Sequence, residues 1–197
     1  AIIRKLGISH DVISTEDIGF KIAPLINAVG RIDNPKLIVD LLTHSHDSSI
    51  NKLLKKCFEI SKERKRITAS IEKDAMILAL SEYSANKKFL VLVNRDWHLG
   101  IIGIVAARIV DKFNLPTAIL SVANDGIFRG SIRSNNYLKV NCALRECEDI
   151  LIAHGGHSAA AGFTIMEISA PIISASQALV SSAKIILYCP GFEVIIE

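Results

Sequence analysis

Three short segments carry most of the chain's chemical character. In Phe128-Arg129-Gly130-Ser131-Ile132-Arg133-Ser134, strand alternation places Arg129, Ser131 and Arg133 on one face. Two guanidiniums flanking a hydroxyl can hold a phosphate from several sides, and Gly130 permits close backbone approach. The plainer reading is a solvent-facing edge strand whose charges deter aggregation. In Gly155-Gly156-His157-Ser158-Ala159-Ala160-Ala161-Gly162, a Gly-Gly pair can turn backbone N–H groups towards an anion, and His157 adds a donor there. A simple glycine turn accounts for the same residues. His154 and His157 could ligate a metal, but no third ligand stands beside them at a recognised spacing. Trp97-His98-Leu99-Gly100 leads from a strand into a helix that runs on to Arg108, and a helix N-terminus is an anion site. Its G-x-x-G lacks the spacing of a dinucleotide fingerprint, and Trp97 suits a core or a domain interface equally well.

A fourth feature is electrostatic. Lys52, Lys55, Lys56, Lys62, Arg64, Lys65 and Arg66 stand against Glu59 and Glu63, a local charge of +5 within a chain of net charge +3. A basic helix face can neutralise phosphates; it can also be an ordinary solvated face with Glu–Lys pairing. No Ser/His/Asp or Cys/His set with motif character is visible, nor a dense carboxylate cluster for Mg²⁺ or Mn²⁺.

These residues need elements to position them. Residues 1–46 read as irregular, punctuated by Pro24, Gly30 and Pro35, with a short helix at Leu37 to Leu42. From Asp47 no Pro or Gly appears until Gly100. Apolar residues from Ile50 to Leu78 keep helical spacing, which predicts one helix to about Tyr83, capped by Asp47, Ser48 or Ser49. Such a helix is roughly 50 Å long and suits a bridge between domains. Residues 88–169 read as a compact α/β unit. Phe89 to Val93 and Pro116 to Leu120 are strands around a helix at Ile101 to Phe113, which implies a right-handed crossover and parallel pairing. Asn124-Asp125-Gly126 is a turn, returning Ile127 to Arg133 antiparallel. A helix over Leu138 to Glu148 and a strand over Gly162 to Ile168 follow. Pro171 suits a further helix start, and Pro190-Gly191 precedes a new strand.

Composition narrows the class. With 197 residues, half of them apolar and 22% charged, the chain can bury a real core. It is neither disordered, collagen-like nor a disulfide scaffold. Its apolar runs fall far short of the roughly 20 residues of a membrane span, and it has no signal-peptide layout. The absence of an initiator Met suggests a fragment. Cys57, Cys142, Cys147 and Cys189 form no C-x-x-C pair, which favours reduced thiols in a cytoplasmic protein.

In this order, the motifs resemble the RecJ family of single-strand-specific 5′→3′ DNA exonucleases, in the DHH phosphoesterase superfamily. Ile18-Gly19-Phe20-Lys21-Ile22-Ala23-Pro24-Leu25-Ile26-Asn27-Ala28-Val29-Gly30-Arg31 looks like the stretch closing a DHH domain. Trp97 to Arg108 looks like the family's W-H-x-G-I/V-I-G-I-V-A-x-R. Gly130-Ser131-Ile132-Arg133-Ser134 looks like G-S-x-R-S. Gly155-Gly156-His157 with Ala160-Ala161-Gly162 looks like the G-G-H-x-x-A-A-G of the DHH-associated domain. The resemblance spans about residues 18–169.

It implies a division into residues 1–46, the tail of a DHH domain; 47–86, a connecting helix; 87–186, a mixed-sheet α/β DHH-associated domain; and 187–197, the start of a further domain. By the same resemblance Gly130, Ser131 and Arg133 would cradle a 5′-terminal phosphate. Arg31 would approach that pocket from the DHH side, and Gly155, Gly156 and His157 would grip phosphate near two Mn²⁺ or Mg²⁺ ions. The ligands of those ions are expected upstream, so no catalytic or metal residue is expected in this chain. Arg129 and His98 complete the candidate phosphate contacts. The implied partner is single-stranded DNA with a 5′ end, alongside repair or recombination proteins. Leu25 stands where the family usually has Arg, and Ser61 where it usually has Asn; the first removes a cation from the end pocket. The competing readings are a DHH-family phosphodiesterase for oligoribonucleotides or cyclic dinucleotides, and a non-catalytic interaction module derived from the nuclease.

Overall fold

The computed structural model describes residues 2–9, 12–43, 47–83, 88–124, 126–135 and 138–166. The chain forms two compact units, Ala1–Ala69 and Ser70–Glu197. Among the described residues no helix is long and apolar enough to cross a membrane.

The first unit is helical, which corrects the reading of residues 1–46 as irregular. After α1 (Ile2–Lys5) comes a helix entry built by Ser14 and Asp17. The Ser14 hydroxyl accepts from the Asp17 N–H at 3.0 Å, and an Asp17 carboxylate oxygen accepts from the Ser14 N–H at 3.2 Å. This is the reciprocal arrangement of a capping box. A π-helical turn, Asp17–Ile22, runs directly into α2 (Ala23–Ile32), and α3 (Lys36–Thr43) follows. Pro24 lies where the π-helical turn passes into α2. Gly30 lies inside α2 in open space, so neither residue breaks the helix. Leu25, Val29, Ile38 and Leu41 pack with Leu54, Cys57 and Ile60 of α4 (Asp47–Glu82) into one core. Each fully buried aliphatic side chain there contributes about 1.5–3 kcal/mol.

Helix α4 holds the continuous helical span read from the sequence, ending at Glu82. It begins at Asp47, which places Ser48 and Ser49 within its first turn. Along the second unit's part of α4, Ile71, Ala75 and Ala79 are buried, the i, i+4, i+8 stripe of an amphipathic helix.

The second unit is a five-stranded mixed sheet of order β1-β2-β3-β5-β4. Strand β1 (Leu90–Val93) pairs parallel with β2 (Thr117–Asn124) through the crossover helix α5 (Leu99–Phe113), as expected. The remaining pairs, β2 with β3 (Ile127–Arg133), β3 with β5 (Ala160–Met166) and β5 with β4 (Ala153–His157), are antiparallel. Two departures stand out. Strand β2 runs on to Asn124, paired with Ile127 of β3 beyond an irregularity after Val122, and its buried Ser121 donates its hydroxyl to the Trp97 carbonyl at 2.6 Å. The Gly155-Gly156-His157 segment, read as a loop or turn, belongs to strand β4 instead.

Residues paired across neighbouring strands share a face. One face carries Phe128, Ile132, Ala161, Phe163 and Ile165, packed under α6 (Val140–Glu146) through Val140, Ala143 and Leu144. Helix α6 is shorter than expected and is followed by a 3₁₀ turn, Glu148–Ile150. Helix α5 packs over β2 and β3 on the other face. Cys57 and Cys142 are free, and burial pushes the Cys57 thiol pKa up. Cys147 is buried, and Cys189 lies outside the described residues. The helix expected at Pro171 and the strand after Pro190-Gly191 lie outside the described residues.

Candidate phosphate-binding site

Strand β3 alternates as the sequence predicts: Phe128, Gly130 and Ile132 are buried, while Arg129, Ser131 and Arg133 point to the α5 face. Arg129 is exposed; Ser131 and Arg133 are half-buried. The Arg133 guanidinium is held by its own strand, Nη1 donating to Ser131 Oγ at 2.9 Å and to the Ile132 carbonyl at 2.8 Å. The exit of β3 is also fixed. Asn135 Nδ2 donates to the backbone oxygen and side-chain oxygen of Asn114, the left-handed residue that ends α5. The Ser134 N–H donates to the Ala159 carbonyl in the β4–β5 turn.

The register carries this face across the sheet. Arg133 pairs with Ala160, which pairs with His157; Ser131 pairs with Gly162, which pairs with Gly155. Arg133, Ser131, Gly155 and His157 therefore share one side, and Arg129 joins them opposite Thr164. Gly155, His157 and Gly162 are exposed. Beside the half-buried Arg133 and Ser131 this leaves a shelf with little side-chain bulk, bordered by imidazole and guanidinium groups. An extended polyanion could lie against it with its phosphates near those donors.

Two glycines prove to have other duties. Gly130 faces away from the shelf, and a Cβ there would lie 2.1 Å from the Phe163 ring; it makes room for that ring in the α6-side core. Its strand is also flanked by partners on both sides, so its backbone groups serve the ladder. Gly156 has φ +146°, and a Cβ would meet the Ala160 carbonyl at 2.4 Å, so it permits the tight β4–β5 pairing. Of the two glycines in that motif, Gly155 alone lies on the shelf side. His154 pairs with Phe163 on the opposite face and lies 3.7 Å from Glu148. His154 and His157 therefore do not converge on one metal. Among the described residues no group of three or more His, Cys, Asp or Glu side chains could hold a metal ion.

His98 is the N-cap of α5, its Nδ1 accepting from the Gly100 N–H at 3.1 Å. That nitrogen is engaged in capping the start of the helix, which leaves Nε2 as the other polar atom of this exposed imidazole. Trp97 is 4% exposed and belongs to the core. Arg31 is exposed on α2, in the first unit. Leu25 is buried in that unit's core. The basic run of α4 is partly paired: Arg66 with Glu63 at 2.7 Å, Lys56 with Asp33 at 3.7 Å and Lys55 with Glu59 at 4.0 Å. The Arg66 bonds hold the Glu63 pKa below its usual value.

The residue that sequence reasoning passed over is Gly103 in α5. A Cβ built there would lie 2.8 Å from Arg133 Nη2 and 2.9 Å from Ser131 Oγ. It sits in a motif singled out for its helix N-terminus. Only its contact partners, some 30 positions away, show what its missing side chain does.

Residues 86–182 match the DHHA1 domain family. The chain is 33% identical over 151 residues to the single-stranded-DNA-specific exonuclease RecJ of Bacillus subtilis, covering 76% of this chain and 19% of that protein. It is 31% identical over 161 residues to RecJ of Haemophilus influenzae, covering 78% of this chain and 28% of that protein. Among solved structures, RecJ of Thermus thermophilus in complex with Mg²⁺ superposes with a TM-score of 0.73 at 25% identity, over 93% of this chain and 27% of that one. An exonuclease RecJ bound to manganese gives 0.74 at 25% identity, over 96% of this chain and 44% of that one. The chain thus spans a fifth to just over a quarter of the length of these curated relatives.

Proposed function

The chain belongs to the RecJ family, and on that premise we propose that it is the substrate-gripping part of a nuclease that degrades single-stranded DNA 5′→3′ by phosphodiester hydrolysis. The observation that supports this reading best is the row Arg133–Ala160–His157 across β3, β5 and β4. It sets a strand-held guanidinium and an exposed imidazole on one side of the sheet. Arg133 and Ser131 would receive the 5′-terminal phosphate. His157, Arg129 and the Gly155 backbone would steady the phosphates that follow, with His98 as an outer contact. Grip on phosphate rather than on base edges predicts little sequence preference.

On this reading residues 1–46 close a DHH domain, 47–86 connect, 87–186 form the DHH-associated domain and 187–197 open a further one. The Mn²⁺ or Mg²⁺ ions that such hydrolysis uses belong to the same proposal, with their ligands outside the described residues. A cytoplasmic setting and repair or recombination proteins as partners belong to the same proposal.

The test compares 5′-phosphorylated with 5′-hydroxyl single-stranded oligonucleotides. Arg133→Ala should weaken binding to the phosphorylated end by about tenfold or more, the worth of a hydrogen bond to a charged group, and weaken the hydroxyl end much less. Equal losses would remove the end-pocket assignment. Stronger competition by a short dinucleotide would favour the oligoribonucleotide or cyclic-dinucleotide phosphodiesterase. Absence of any salt-dependent DNA affinity would favour an interaction module.

A further inference from the structure

We infer that Gly103 is a positioning residue for the phosphate site, a notch in helix α5 that sets where the Arg133 guanidinium lies. This rests on the proposed role of Arg133 and deepens it. A Cβ at position 103 would fall 2.8 Å from Arg133 Nη2 and 2.9 Å from Ser131 Oγ, closer than such atoms can approach. Those two groups are already joined, Arg133 Nη1 donating to Ser131 Oγ. Helix and strand thus clamp one guanidinium between them: Ser131 and the Ile132 carbonyl hold it from the strand side, and the bare Cα of Gly103 fixes how near it comes to the helix. Ser131 acts in this clamp as a latch on Arg133, ahead of any contact of its own with phosphate.

The chemistry of the clamp explains why a glycine stands inside a helix, where Ala would be the better helix former. Bidentate recognition of phosphate depends on the placement of a rigid, planar fork. A methyl group at position 103 meets side-chain atoms, the end of flexible Arg133 and the rotatable hydroxyl of Ser131, not backbone. It should therefore displace the guanidinium while leaving the fold intact. A glycine serving only helix–sheet packing would behave in the opposite way, losing stability and leaving end discrimination alone.

The experiment measures affinities of the chain, Gly103→Ala, Arg133→Ala and the double variant for 5′-phosphorylated and 5′-hydroxyl single-stranded DNA of one sequence, with melting temperatures alongside. Gly103→Ala should melt no lower than the parent and lose about tenfold or more of its preference for the phosphorylated end. In the Arg133→Ala background it should change nothing further, since the group it displaces is gone. Retained preference in Gly103→Ala, together with its loss in Arg133→Ala, overturns this inference and leaves the proposed function standing. A parent chain with no preference, or an Arg133→Ala variant that keeps it, overturns the proposed function itself. If Gly103→Ala fails to fold, Ser131→Ala opens the latch with the notch intact. A partial loss of preference then supports the clamp, and full preference overturns it.

Discussion

A methyl group at Gly130 and one at Gly103 are the same chemical change, yet they should have opposite consequences. At Gly130 the added carbon would lie 2.1 Å from a carbon of the Phe163 ring, itself packed in the core under α6. That ring has nowhere to go, and overpacking of this kind costs about 1–3 kcal/mol. Gly130→Ala should therefore lower the melting temperature by several degrees. Below that temperature it should keep the parent's ratio of 5′-phosphate to 5′-hydroxyl affinity, because Gly130 faces away from the shelf. Loss of the ratio at unchanged melting temperature would return Gly130 to the pocket. At this scale the sequence was informative where types alternate and silent where contact is remote. Arg129, Ser131 and Arg133 announce one face by their spacing. Gly103 and Phe163 acquire meaning only from partners 28 or more positions away. Leu25 is a further case: the position has a cation in the resembling family, whereas here it carries a core residue among Val29, Ile38 and Leu41.

Elements were legible in proportion to how much of their signal is local. Helix α4 was readable because 36 residues without Pro or Gly leave no competing structure. The β1–α5–β2 crossover was readable because two apolar runs flank a helix of matching length. Strand β4 was not, since Ala-His-Gly-Gly-His offers neither β-branched residues nor apolar alternation; its place is supplied by β5, which holds it through paired backbone. The helical entry at Ser14 was missed because the capping box has Asp where Glu or Gln is usual. That entry makes a pH-dependent prediction. Hydrogen bonds from Lys21, first, and then Ser14 hold the Asp17 carboxyl down to a pKa of about 2, against the usual 3.8. A carboxylate with a depressed folded-state pKa lends its stability above the unfolded value and loses it as pH falls through the folded one. The turn Asp17–Ile22 should accordingly hold above about pH 4 and loosen as pH falls towards 2. Asp17→Asn should abolish that transition. A carboxyl resonance titrating with its midpoint near 3.8 would contradict the assignment.

For the whole molecule the proposed function asks how a chain of net charge +3 would grip a polyanion. Its charge is uneven, +5 between Lys52 and Arg66 and −2 elsewhere, so two mechanisms compete: a diffuse attraction along α4 and a local grip on the β-sheet shelf. The structure weighs against the first, because Arg66, Lys56 and Lys55 already face Glu63, Asp33 and Glu59. These surface pairs are worth only about 0.2–1 kcal/mol each, but they lower the cation density that a backbone would meet. Lys62 and Lys65 are exposed on the same stretch and provide the discriminating variant. Each phosphate neutralised on single-stranded DNA steepens the dependence of log K on log salt by roughly 0.7. A local grip through Arg133, His157 and one or two further donors gives a slope of about −2 to −3. Replacing Lys62 and Lys65 together by Ala should then leave the ratio of 5′-phosphate to 5′-hydroxyl affinity unchanged and flatten the slope by at most about 1.4, whereas Arg133→Ala should change the ratio and flatten the slope by about 0.7. A parent slope of about −5 that collapses in the lysine variant would transfer the binding role to α4. Such a surface would hold DNA along its length, and the end would no longer be what the protein recognises.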